Sequence, residues 1–151
     1  MKDASVKFAL ALAAALAAAP ALAQTQMPGE HFITNWDADA DGAVTLDEAT
    51  ARRGDIFVTF DADEDGALSA EEYVQFDAAR ASDQAQMRQG QGNGKGSMMR
   101  EEGGMQLGFN DTDGDGAVSR DEFLARTPDW FAMMDRDADG KVTQQDFGPG
   151  N

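Results

Sequence analysis

The chain contains no cysteine, so neither a disulfide framework nor a thiolate metal site is open to it. Its one histidine, His31, is too little for a His-based catalytic or zinc site and reads as a residue of a helix face. Positive charge is scarce. Twelve Lys and Arg stand against 28 Asp and Glu, a formal net charge of −16. With no basic patch to displace counterions from phosphates, nucleic acid is excluded as a partner. Apart from acidic runs, no Ser/His/Asp set, phosphate loop or paired-carboxylate catalytic context occurs, so nothing supports an enzyme. At 151 residues the chain has room for one domain or two very small ones.

The one sustained apolar run, Phe8 to Ala19, falls short of the roughly 20 residues a membrane span needs, and Pro20 interrupts it. Lys2 and Lys7 precede it and Ala21-Leu22-Ala23 follows, a small-x-small pattern. This arrangement predicts a secretory signal peptide over residues 1–23, cleaved after Ala23, and a periplasmic or secreted mature protein with no membrane span.

What the chain has in abundance is aspartate at fixed spacing. Four stretches read D-x-D-x-D-G-x-x-x-x-x-[E/D]: Asp37–Glu48 (DADADGAVTLDE), Asp61–Glu72 (DADEDGALSAEE), Asp111–Glu122 (DTDGDGAVSRDE) and Asp135–Asp146 (DRDADGKVTQQD). Sixteen of the 28 acids lie at positions 1, 3, 5 and 12 of these loops, so the acidity is concentrated at sites. Such spacing suits a hard cation that takes six to eight oxygens. Glycine at position 6 (Gly42, Gly66, Gly116, Gly140) permits the sharp turn that brings the donors together. The carbonyls of Ala43, Ala67, Ala117 and Lys141 at position 7 add a further oxygen, and Thr45, Ser69, Ser119 and Thr143 at position 9 offer a hydroxyl or hold a water.

In these loops the chain resembles the EF-hand family. The resemblance implies calcium as the ligand, up to four ions, with Asp37, Asp39, Asp41 and Glu48 at site 1 and Asp61, Asp63, Asp65 and Glu72 at site 2. It implies Asp111, Asp113, Asp115 and Glu122 at site 3, and Asp135, Asp137, Asp139 and Asp146 at site 4. Site 4 departs from the pattern, because Asp146 is one methylene shorter than glutamate. It is expected to be the weakest for calcium and the most tolerant of magnesium.

Loops 1 and 2 start 24 residues apart, as do loops 3 and 4, and the two pairs are offset by 74 residues. The second half thus reads as a duplicate of the first. Twelve residues separate the loops within each half, Ala49–Phe60 and Phe123–Met134. A single helix of about 18 Å would hold neighbouring loops apart, whereas two stubby helices would let them touch. Thr127-Pro128-Asp129 signals a fresh helix start in the second gap and Gly54-Asp55 a weaker one in the first, so two short helices per gap are expected. Phe32, Ile33 and Trp36 precede loop 1, Phe57 and Phe60 loop 2, and Trp130, Phe131 and Met134 loop 4, on spacings of three and four. Tyr73, Phe123 and Phe147 follow loops 2, 3 and 4, and position 8 is always apolar (Val44, Leu68, Val118, Val142), as an antiparallel bridge between loops needs. Asn110, before loop 3, breaks the apolar pattern.

The expected fold is all-α: one EF-hand (helix–loop–helix) pair over 28–77 and another over 105–151, with short antiparallel β contacts between loops. A flexible Gly/Gln/Met-rich linker over 78–104 joins them. Met87, Met98, Met99 and Met105 read as linker residues, and Met133 and Met134 as helix packing. The function this implies is that of an exported calcium buffer or calcium-stabilised module. The alternatives are a calcium sensor that exposes an apolar surface to a protein partner, and a periplasmic lanthanide binder. The loop spacing resembles that of lanmodulin, but the loop sequences lack the Pro at position 2 and Asp at position 9 that this family tends to carry.

Overall fold

The computed structural model describes residues 27–90 and 102–148. The expected signal peptide at 1–23, and Met98 and Met99 of the expected linker, lie outside the described residues, as does the side chain of Met87. The elements run α1 Glu30–Trp36, β1 Val44–Thr45, α2 Leu46–Phe60, β2 Ala67–Leu68, α3 Ala70–Gly90, α4 Leu107–Asn110, β3 Val118–Ser119, α5 Arg120–Ala125, α6 Thr127–Met134, β4 Lys141–Val142 and a 3₁₀ turn Gln144–Phe147. The fold is mostly helical, with two-residue antiparallel bridges between loops, as the loop pattern implies.

The two twelve-residue gaps fold differently. In the second, α5 and α6 are separate helices meeting at Arg126, because Pro128 has no N–H for the carbonyl of Leu124 and its ring crowds that carbonyl. In the first, the expected break is absent and α2 runs unbroken for 15 residues. A glycine alone costs a helix interior only about 1 kcal/mol, and tertiary burial of the helix outweighs that. Gly54 is itself buried, with the Arg120 Nη2 atom 3.8 Å from where a Cβ would stand.

This difference decides which loops meet. A 15-residue helix holds loops 1 and 2 roughly 22 Å apart, so they cannot bridge each other. The bridges join loops across the two halves instead. Val44 pairs with Val142 and Thr45 with Lys141, linking loops 1 and 4; Ala67 pairs with Ser119 and Leu68 with Val118, linking loops 2 and 3. α2 therefore lies antiparallel beside α5 and α6, its counterpart in the duplicate. All four position-8 side chains are fully buried beneath these bridges.

One core serves both halves. Under loops 1 and 4, Phe32 stacks on Trp36 at 5.4 Å, Trp36 meets Trp130 at 4.7 Å and Phe32 meets Phe147 at 5.3 Å. Under loops 2 and 3, Phe76 contacts Phe60 at 4.9 Å and Phe123 at 6.2 Å, with Phe57 5.9 Å from Phe123. The stretch expected to be linker is partly built into this body. α3 continues through residues 78–90. Gly104 lies so close to Trp130 that a Cβ would stand 1.7 Å from Cδ1. Met105 is buried in the core, not a linker residue. Met134 is buried as expected, while Met133 is partly exposed.

Candidate metal centres

The four loops repeat one hydrogen-bond pattern. The position-6 glycine, at φ 87–90°, donates its N–H to the first aspartate: Gly42 to Asp37 at 2.8 Å, Gly66 to Asp61 at 3.1 Å, Gly116 to Asp111 at 3.1 Å and Gly140 to Asp135 at 2.9 Å. The position-12 carboxylate reaches back across the loop to the N–H of position 2. Glu48 accepts from Ala38 at 2.9 Å, Glu72 from Ala62 at 2.7 Å, Glu122 from Thr112 at 2.9 Å and Asp146 from Arg136 at 2.8 Å. Its second oxygen accepts the N–H of position 9 (Thr45, Ser69, Ser119, Thr143) at 2.8–2.9 Å. The position-9 hydroxyl meanwhile accepts from the first turn of the next element, so positions 9 and 12 form a capping box. One short segment thus closes the loop and starts the following helix.

This geometry gathers carboxylates in four sets of three. Asp37, Asp39 and Glu48 each offer an oxygen within 4.8 Å of the others, as do Asp61, Asp63 and Glu72, then Asp111, Asp113 and Glu122, then Asp135, Asp137 and Asp146. Two oxygens that share an ion at 2.3–2.6 Å lie at most about 5 Å apart, so each set fits one calcium-sized cation. The position-5 aspartates are not in these sets. Asp41, Asp65, Asp115 and Asp139 each turn an oxygen to the N–H of position 7, at 2.9 Å in every loop.

Charge at the sites is kept in the ligating form. The Thr112 hydroxyl, then the Ser119 N–H and hydroxyl, hold Glu122 down at about 2. Glu48 and Glu72 are lowered likewise, first by the N–H groups of Thr45 and Ser69. At site 4 the balance reverses for Asp137, which is raised by desolvation and by the charges of Asp139, Asp146 and Asp135. Asp146 makes the bonds of a longer glutamate because its backbone is wound into a 3₁₀ turn instead of an α-helix.

A set of residues next to the sites was not legible as functional. Arg53 is fully buried and donates to Phe123 O, Gly104 O and Asn110 Oδ1; burial lowers its guanidinium to about 10, so it remains charged at neutral pH. Asn110, also fully buried, donates to the Tyr73 hydroxyl at 3.1 Å. A signal for Arg53 does exist in the sequence. It lies on one four-residue row with Ala49 and Phe57, both of which are buried.

The EF hand family model matches residues 54–77, 111–125 and 129–148. These segments hold loops 2, 3 and 4; loop 1, outside them, has the same hydrogen-bond pattern. None of the curated proteins matches the chain significantly.

Proposed function

The chain belongs to the EF-hand calcium-binding superfamily, and on that premise we propose that it is an exported, non-enzymatic calcium buffer or calcium-stabilised module taking up to four ions. The observation that carries this reading is the set of four carboxylate triads, each sized for one cation. Bound ions would offset the self-repulsion of a chain with net charge −16. Pairing of loops 1 with 4 and 2 with 3 puts bridges at both ends of α2, which favours ion-dependent stability over a large opening. Export rests on the basic, apolar and small-residue pattern of residues 1–23. No helix among the described residues is long and apolar enough to cross a membrane. Outside the cell, affinities on the order of 10⁻⁴–10⁻³ M are sufficient.

Calorimetric titration of the chain from residue 24 with calcium, magnesium and a lanthanide tests the reading. The expected result is four calcium equivalents, one weaker than the rest and open to magnesium. Uptake of one ion or none at millimolar calcium would sink it, and a lanthanide preference of several orders would move the role to that metal. The sensor reading has one observation in its favour: a cleft of about 290 Å³ lined by Trp36, Ile56, Phe76 and Met105, among others. Apolar-dye binding separates the two, since a calcium-induced rise supports the sensor and a fall the buffer.

A further inference from the structure

Both loop pairs rest on aromatic packing, and loops 2 and 3 rest on a buried polar network as well. Sites 1, 2 and 4 each have an apolar residue directly before the first ligand: Trp36 before Asp37, Phe60 before Asp61 and Met134 before Asp135. Site 3 has Asn110 in that place, and Asn110 belongs to a buried polar network centred on Arg53. The Arg53 guanidinium donates to Asn110 Oδ1 at 2.7 Å, to Phe123 O at 2.7 Å and to Gly104 O at 3.2 Å, with its Cζ 4.0 Å above the Phe123 ring. No carboxylate among the described residues pairs with it. The Asn110 amide donates to Tyr73 Oη at 3.1 Å, and that hydroxyl donates to Met105 O at 3.2 Å.

Three members of the network lie one peptide bond from a metal ligand. Asn110 precedes Asp111, the first ligand of site 3; Phe123 follows Glu122, its closing ligand; Tyr73 follows Glu72, the closing ligand of site 2. Hydrogen bonds are directional, and a buried charge tolerates loss of a partner poorly, so these three backbone segments shift together or not at all. The corresponding segments of sites 1 and 4 meet through aromatic and aliphatic packing, which is not directional. We propose that Arg53, Asn110 and Tyr73 are positioning residues that join sites 2 and 3 into one cooperative calcium-binding unit, over and above the strand bridge, while sites 1 and 4 fill without them. The proposal rests on the reading of the loops as calcium sites.

The position-6 glycines give one reporter per site, because each N–H is bonded to its own site's first aspartate. Calcium titration followed by the amide resonances of Gly42, Gly66, Gly116 and Gly140 therefore reads the sites separately. In the unaltered chain, Gly66 and Gly116 are expected to move together on one steep curve. Tyr73→Phe, which keeps the ring and loses only the hydroxyl, and the double variant Arg53→Met/Asn110→Leu, which replaces both buried partners by apolar groups, should separate and flatten those curves. Their midpoints should weaken by roughly tenfold, inside the range of coupling between linked sites. Gly42 and Gly140 should stay within about twofold, as for independent sites. Tyr73→Phe, in which the Asn110 amide keeps Gly104 O and Gln106 O as acceptors, is also expected to keep most of its thermal stability while the coupling stays lost, a split that a merely structural network would not produce. Unchanged Gly66 and Gly116 curves in both variants, or an equal shift of all four glycines, would overturn the proposal. Absence of any calcium response in the unaltered chain would instead overturn the calcium reading itself, and the coupling with it.

Discussion

Replacing Asp146 with glutamate adds one methylene to a side chain that is 3% exposed and already bonded at both oxygens. The added length is about 1.5 Å, one C–C bond. Asp146 places its carboxylate 2.8 Å from the N–H groups of both Arg136 and Thr143, nearly the distances Glu48 keeps to Ala38 (2.9 Å) and Thr45 (2.8 Å). It achieves this because residues 144–147 form a 3₁₀ turn, which is narrower and rises faster than an α-helix. In Asp146→Glu the surplus length either drives the carboxylate further into the loop or lets the turn relax toward α geometry. Without metal, the crowding costs about 1 kcal/mol, the low end for overpacking. With calcium, the charge count is unchanged and one more oxygen becomes available, an improvement of roughly tenfold, or about 1.4 kcal/mol, at site 4 with a relative loss of magnesium. The reciprocal change, Glu48→Asp, withdraws a carboxylate by about 1.5 Å from the Ala38 N–H at the start of a 15-residue α-helix that has no 3₁₀ turn to compensate, and site 1 should weaken by tenfold or more. Gly140 and Gly42 amide shifts during calcium titration, checked by calorimetry, measure both. An unchanged or weaker site 4 in Asp146→Glu, or an unchanged site 1 in Glu48→Asp, would refute the argument that side-chain reach against helix geometry sets these affinities.

Position 4 of each loop is left-handed, and Ala40 (φ 60°) is strained where Gly114 (φ 74°) is not. Ala40→Gly should therefore stabilise the protein by about 0.5 kcal/mol net of unfolded-chain entropy, and Gly114→Ala should destabilise it by about 1 kcal/mol, both read from urea midpoints. Gly104→Ala puts a methyl group into fully buried Trp130 and should cost about 3 kcal/mol, visible in the same assay and in the tryptophan spectrum. Glu122 is lowered from 4.5 to about 2, so its contribution to the metal-free fold is complete above pH 4.5 and is lost as pH falls toward 2. Thr112→Val removes the largest cause, and a carboxyl NMR titration should show Glu122 rising toward 4.5. Removing calcium from a sample held at 100 times the dissociation constant should lower stability by about 2.7 kcal/mol per filled site. Because Trp36 lies 4.7 Å from Trp130, tryptophan emission should follow sites 1 and 4 together.

Asn110 and Gly54 show why part of the arrangement was hidden. Asn110 reads as a defect in the apolar seat of loop 3, since its value depends on Arg53 and Tyr73, which lie 57 and 37 residues away. Gly54 reads as a helix breaker because its local preference is visible and its packing against the second half is not. Pro128 reads correctly, because its effect is steric and confined to its own turn. The position-5 aspartates read as ligands by spacing, and the structure adds that one oxygen of each accepts the N–H of position 7 in all four loops, a turn contact the spacing does not show.

The sequence by itself determined the four loops, their turn glycines, the capping boxes that close them and the apolar residues beneath each bridge. All of these follow from covalent spacing and from contacts a few residues long. Only the tertiary structure decided which loops are partners, that one core spans both halves, and that a buried arginine stands behind sites 2 and 3. Those outcomes depend on whether a twelve-residue gap is one rod or two. That choice is fixed by what the helix packs against, which no local pattern records.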